Sequence, residues 1–110
     1  MHIELKLGEL LAEAAITGEI DGRTAPEVQE RLLPVAGTHQ KLLIDMTQVT
    51  FLSSAGLRML LLLYRQFAPR AGEILLVGVP EEIRDTMAMT GFSNFFTLAE
   101  TRDQALAKIR

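Results

Sequence analysis

The sequence predicts an α/β fold: a mixed, mainly parallel sheet of about five strands with an edge hairpin, covered by about four helices. Three observations carry this. Ile3, Leu5 and Leu7 alternate with Glu4 and Lys6, the period of a half-buried strand. Leu42 to Ile44 and Ile74 to Val77 are short, unbroken apolar runs of the kind found in strands covered on both faces. Between these runs lie helix-start signatures and a Leu-rich segment with helical spacing, and strands alternating with helices imply parallel pairing through right-handed crossovers.

Taken in order, the Ile3–Leu7 strand turns at Gly8-Glu9 into a second strand over Leu10 to Thr17. The segment from Gly18 to Gly22 carries two glycines and reads as a loop. Thr24-Ala25-Pro26-Glu27 is a capping-box pattern, in which the Thr24 hydroxyl would accept from the Glu27 N–H at the head of a helix that Pro34 ends near Leu33. Gly37 to Gln40 connects to a buried strand over Lys41 to Met46. A helix over Ala55 to Ala68 presents Leu57, Leu60, Leu61, Tyr64 and Phe67 on one face, with Met59, Leu62 and Leu63 widening the apolar belt. That surplus fits burial better than a partner groove, at odds of roughly two to one. Pro69 to Gly72 ends the helix, and Glu73 to Val79 forms the next strand. A helix from Pro80 to about Thr90, stopped by Gly91, is followed by a short strand around Phe96 to Leu98. Thr101 to Gln104 is a second capping box, and Ala105, Leu106 and Ile109 of the last helix should face inward. A chain of 110 residues without linkers or repeats is expected to form one domain over 1–110.

Composition removes several function classes. A net charge of −3 with no basic run gives little to neutralise a phosphate backbone, so nucleic acid is not expected as a direct partner. The absence of cysteine excludes thiolate metal sites, and His2 and His39 lie far apart, so neither metal nor cofactor is expected. The N-terminus lacks the pattern of a secretory signal, and the longest apolar run is far short of the ~20 residues that span a bilayer. A soluble, cytoplasmic protein without membrane insertion is the expectation.

Chemistry concentrates at Ser53 and Ser54, between the Lys41 strand and the Leu-rich helix. Amides at a helix N-terminus lack helical partners and the peptide dipoles sum there, so a hydroxyl would cap the helix and a phosphate would be tolerated. A hydrolase nucleophile on a strand-to-helix turn would need a glycine where Leu52 stands and a histidine later in the chain, and no histidine follows His39. No Gly-rich phosphate loop or dinucleotide fingerprint is present. Asp21 and Asp45 form an acidic pair only in name, since aspartates at turns and strand ends more often bond to local backbone. Taken alone, Ser54 reads most simply as a helix cap.

Its surroundings alter that reading. Phe51-Leu52-Ser53-Ser54-Ala55-Gly56-Leu57, with Asp45 before it and a Leu-rich helix after it, resembles the phosphorylation loop of anti-sigma factor antagonists, the bacterial STAS domains. Ile16 to Ala25, containing Asp21, Gly22 and Thr24, resembles the family's loop between the second strand and the first helix. The order of elements is also similar, so the resemblance spans the chain. It implies a STAS-type fold and a switch protein that is a substrate, not an enzyme. Unphosphorylated, such a protein binds an anti-sigma factor, often itself a serine kinase, and releases the sigma factor; phosphorylation ends binding and a PP2C-type phosphatase restores it. By motif position Ser54 corresponds to the phosphorylated serine, with Ser53 as runner-up. The resemblance assigns Asp21, Gly22, Thr24, Ser53, Ser54, Ala55, Gly56, Leu57 and Arg58 to the partner surface. Ser53 stands where better-known members often carry aspartate, and Ala55 where many carry a second serine. The alternative within the same resemblance is a STAS binding module that is not phosphorylated, serving a transporter or another signalling complex, or holding a small ligand.

Overall fold

The computed structural model describes residues 1–109. Five strands form one sheet in the order β1-β2-β3-β4-β5: β1 (His2–Leu7), β2 (Leu11–Ile20), β3 (Lys41–Leu52), β4 (Glu73–Val77) and β5 (Thr97–Ala99). The β1–β2 hairpin is antiparallel and every other pairing is parallel, as strands separated by helical crossovers require. The helices are α1 (Ala25–Leu32), α2 (Ser54–Phe67), α3 (Glu81–Met89) and α4 (Arg102–Lys108).

The main core lies on one face of the sheet, where Ile16, Leu42, Ile44 and Leu76 meet Val28 and Leu32 of α1, Leu60 and Leu63 of α2, and Met87 of α3. On the other face, Ala105 of α4 packs with Leu43, Leu75 and Val77. The unbroken apolar runs of β3 and β4 follow from this two-sided cover. Ala105 faces inward as its spacing predicts, with Leu106 and Ile109 half-buried beside it. No helix among the described residues is long and apolar enough to cross a membrane.

Two strands outrun their sequence signals. β2 continues through Gly18 to Ile20 instead of opening into a loop at Gly18, and β3 continues from Met46 to Leu52. The two extensions pair with each other, Thr17 with Gln48 and Ile20 with Leu52, across register shifts near Ala15 and Gly18. Gly18 adopts φ 103, a left-handed value that suits glycine. Tertiary pairing thus overrides the local turn signal, and Asp45 lies inside β3, not at its end. Conversely, β4 stops at Val77, before the expected Val79, because Gly78 turns left-handed at φ 65 while its amide donates to the Ala99 carbonyl.

The capping at α1 also differs from expectation. Thr24 makes no side-chain cap; its hydroxyl accepts from the Asp21 N–H at 2.9 Å and donates to the Glu19 carbonyl at 2.8 Å. The Asp21 carboxylate instead organises the turn before the helix, accepting from the amides of Arg23 and Thr24 at 2.9 and 3.1 Å. At α4 the cap forms as expected, Thr101 Oγ1 accepting from the Gln104 N–H, while the Gln104 amide oxygen reaches one residue past the cap and accepts from the Glu100 N–H.

Candidate functional site

The paired extensions of β2 and β3 bring the two predicted segments together. The Ser53 N–H donates to the Ile20 carbonyl at 2.9 Å, which ties the head of α2 to the end of β2 one residue before Asp21. Gly56 eases this approach: a Cβ there would lie 2.5 Å from Leu52 Cδ1, 3.0 Å from the Ile20 carbonyl oxygen and 3.1 Å from Ile20 Cγ2, so these neighbours would have to shift. The β2–α1 turn and the first turn of α2 therefore form one surface at the C-terminal ends of the parallel strands, where open α/β sheets commonly carry their sites.

The serines divide their roles. Ser53, not Ser54, is the helix cap: its backbone is extended at φ −82, ψ 175, and its Oγ accepts from the Gly56 N–H at 3.2 Å. Ser54 is the first helical residue, exposed, and its hydroxyl has no hydrogen-bond partner among the described residues. Nor do the backbone N–H groups of Ser54 and Ala55, whereas those of Gly56 and Leu57 are taken by the side chain and the carbonyl of Ser53. The capping role that Ser54 would have on its own is thus filled by its neighbour. What remains at Ser54 is a solvent-facing nucleophilic oxygen beside two unpaired donors at the positive end of a 14-residue helix.

Asp21 sits beside this surface, half-buried, and acts first as a turn organiser. The amides of Arg23 and then Thr24 hold its carboxyl below the usual carboxylate range, helped by the Arg23 guanidinium at 3.6 Å, so it stays charged. Asp45 likewise bonds locally, accepting from the Thr47 amide and hydroxyl at 3.0 and 2.7 Å. Both aspartates behave as local hydrogen-bond acceptors, as their positions suggest.

Around the serines, Arg58 is exposed and Ala55 half-buried, while Gly56 and Leu57 are buried and support the turn from beneath. The wide apolar belt of α2 resolves into two parts. Met59 and Leu63 are core, at 3% and 0% exposure, whereas Leu61 and Leu62 are half-buried and line a groove of about 500 Å³ between α1 and α2. Ala55 and Arg58 lie at this groove on the α2 side and Gly22 and Pro26 on the α1 side, so it is continuous with the serine turn. A smaller cleft on the other side of the turn, lined by Phe51, Leu52 and Leu57 against Ile83 and Thr86 of α3, leaves Phe51 49% exposed. Phe51 opens the motif that resembles the phosphorylation loop, but the resemblance did not assign it to the partner surface.

Comparison with known proteins agrees with this architecture. A family model described as STAS domain matches residues 13–105. The anti-sigma-B factor antagonist of Listeria monocytogenes is 30% identical over 84 residues, covering 76% of this chain and 74% of that protein. The crystal structure of an anti-sigma factor antagonist from Mycobacterium paratuberculosis superimposes with a TM-score of 0.87 at 29% identity, over 99% of this chain and 93% of that one. The Bacillus cell fate determinant SpoIIAA in its phosphorylated form shares the fold, with a TM-score of 0.78 at 17% identity over 99% of this chain and all of that one.

Proposed function

The chain belongs to the STAS domain family, and from that premise we propose that it is a phosphorylation-controlled anti-sigma factor antagonist, acting as one domain, with Ser54 as the phosphate acceptor. In this reading the unphosphorylated protein binds an anti-sigma factor that is also a serine kinase, and thereby frees the sigma factor. Phosphate on Ser54 ends the complex, and a PP2C-type phosphatase regenerates the binding form. The protein is the substrate of these reactions and works in the cytoplasm, where kinase and ATP are found.

One observation carries the reading: Ser53 supplies the helix cap, which leaves the Ser54 hydroxyl exposed and uncommitted. A kinase needs such a hydroxyl, and the fold must tolerate the product. Phosphate adds roughly −1.5 to −2 charge, and at a helix N-terminus the dipole favours it by about 0.3–1 kcal/mol, so modification leaves the domain folded. The change falls on the partner. With Asp21 held charged on the adjacent turn, an acidic or tightly packed partner surface would meet like charge and added volume, at a cost of several kcal/mol. A swing from nearly all bound to nearly all free needs about 5.5 kcal/mol of differential affinity, within reach of these two effects together.

The partner footprint extends from Asp21, Gly22 and Thr24 across Ser54, Ala55 and Arg58 into the α1–α2 groove, where Leu62 offers apolar contact. Gly56 and Leu57 serve it from below by fixing the turn. Titration calorimetry with the cognate anti-sigma factor tests the reading. Ser54→Ala should bind like the unmodified protein, and Ser54→Asp should bind at least tenfold more weakly; equal binding by the two variants would contradict the switch.

A further inference from the structure

We propose that the free edge of β1 pairs with β1 of a second copy of this chain, forming a symmetric, concentration-dependent dimer with one continuous sheet. The inference goes beyond the switch and rests on different residues.

β1 ends the sheet, and its outer side has no partner strand among the described residues. Backbone groups along a strand point alternately to its two edges. The Gly8 N–H donates inward to the Leu11 carbonyl at 3.0 Å, and the hairpin keeps an unbroken register from Leu7↔Ala12 to His2↔Thr17. Alternation then directs the amides and carbonyls of Leu7, Leu5 and Ile3 outward. An exposed edge of this kind is a template for another strand unless something guards it.

The usual guard is charge, and here the charges are matched. Glu4 and Lys6 are both exposed, and among the described residues neither is held by an ion pair to a carboxylate, lysine or arginine; Glu4 has only His2 at 3.8 Å. When two β1 strands run antiparallel about a twofold axis at Leu5, Glu4 of each copy faces Lys6 of the other, twice by symmetry. Ile3 faces Leu7 on the opposite side, covering a leucine that is 61% exposed. Three pairs of outward groups would form about six backbone hydrogen bonds, and the Glu–Lys pairs fall at the non-hydrogen-bonded positions, where side chains stand closest. Moving the axis to residue 4 opposes two glutamates, and moving it to residue 6 opposes two lysines, so charge favours the Leu5 axis over both neighbouring registers. The contact is smaller than that of a permanent dimer, which makes the association reversible.

Sedimentation velocity from about 10 μM to about 1 mM protein spans the range where so small an interface would assemble. The wild type should shift from monomer towards dimer across this range. Each reversal, Glu4→Lys or Lys6→Glu, is felt at two symmetric pairs and should weaken dimerisation about tenfold or more, while the combined swap restores it. Lys6 also faces Glu13 within the chain, so folding of each variant is checked by circular dichroism. Amide exchange in the wild type gives a reading that needs no substitution: Ile3, Leu5 and Leu7 should gain protection at high concentration. A monomer at every concentration, single reversals that dimerise like the wild type, or outward amides that never gain protection would each overturn the proposal.

Discussion

Replacing Ser53 by alanine separates the two serines most cleanly. The Ser53 hydroxyl satisfies the Gly56 amide at 3.2 Å, one of the donors that α2 cannot pair internally, and the residue is only half-buried. Losing such a cap costs about 1 kcal/mol, within a usual range of roughly 0.5–2. For a domain of this size that lowers the thermal midpoint by about 4–8 °C, or the urea midpoint by roughly 0.5 M. Ser54→Ala removes a hydroxyl with no hydrogen-bond partner among the described residues and should leave stability within about 0.5 kcal/mol of wild type, with both midpoints little changed. Paired urea titrations followed by circular dichroism measure both variants. If Ser54→Ala lost the cap energy and Ser53→Ala did not, the assignment of cap and free hydroxyl would be refuted.

Other consequences follow from the same geometry. Gly56→Ala drives a methyl against the Ile20 carbonyl and should cost about 1–3 kcal/mol in urea titration while weakening partner binding, since the turn it fixes must shift. Leu63→Ala empties a fully buried position and should cost about 2–5 kcal/mol, whereas Leu62→Ser, at the groove, should cost about 1 kcal/mol or less yet weaken the anti-sigma factor complex in a pull-down titration. The Thr97 hydroxyl, and then the Lys41 ammonium, hold the Glu73 carboxyl below its ordinary range. A carboxylate so lowered stabilises the fold above its unfolded pKa and loses that contribution as pH falls through the folded value. Thermal midpoints should therefore drop more steeply on acidification in the wild type than in Glu73→Gln.

Much of the fold was legible because the signals were local. Alternation in β1, apolar runs in β3 and β4, and Thr101 with Gln104 each state their element without knowledge of the rest. The ends of β2 and β3 were hidden because Gly18 and Thr47-Gln48 look like a loop until the pairing of Thr17 with Gln48 and of Gly18 with Val49 is known. Thr24 misled for a similar reason, since its hydroxyl donates to the backbone carbonyl of Glu19, and α1 is left without a side-chain cap. At the site, motif spacing singled out both serines, but which one caps depends on whether the helix begins at Ser54 or Ala55, a one-residue difference that spacing does not resolve. The apolar belt of α2 divided for an equally tertiary reason: full burial of Met59 and only partial burial of Leu62 depend on where α1 lies.

A free Ser54 hydroxyl serving as phosphate acceptor is the centre of the proposed switch. Incubation with the cognate anti-sigma factor kinase and ATP, followed by peptide fragmentation in a mass spectrometer, tests this most directly. One phosphate on Ser54, absent from Ser54→Ala and retained in Ser53→Ala, is the result expected. Phosphate on Ser53 alone, or none on either serine, would contradict it.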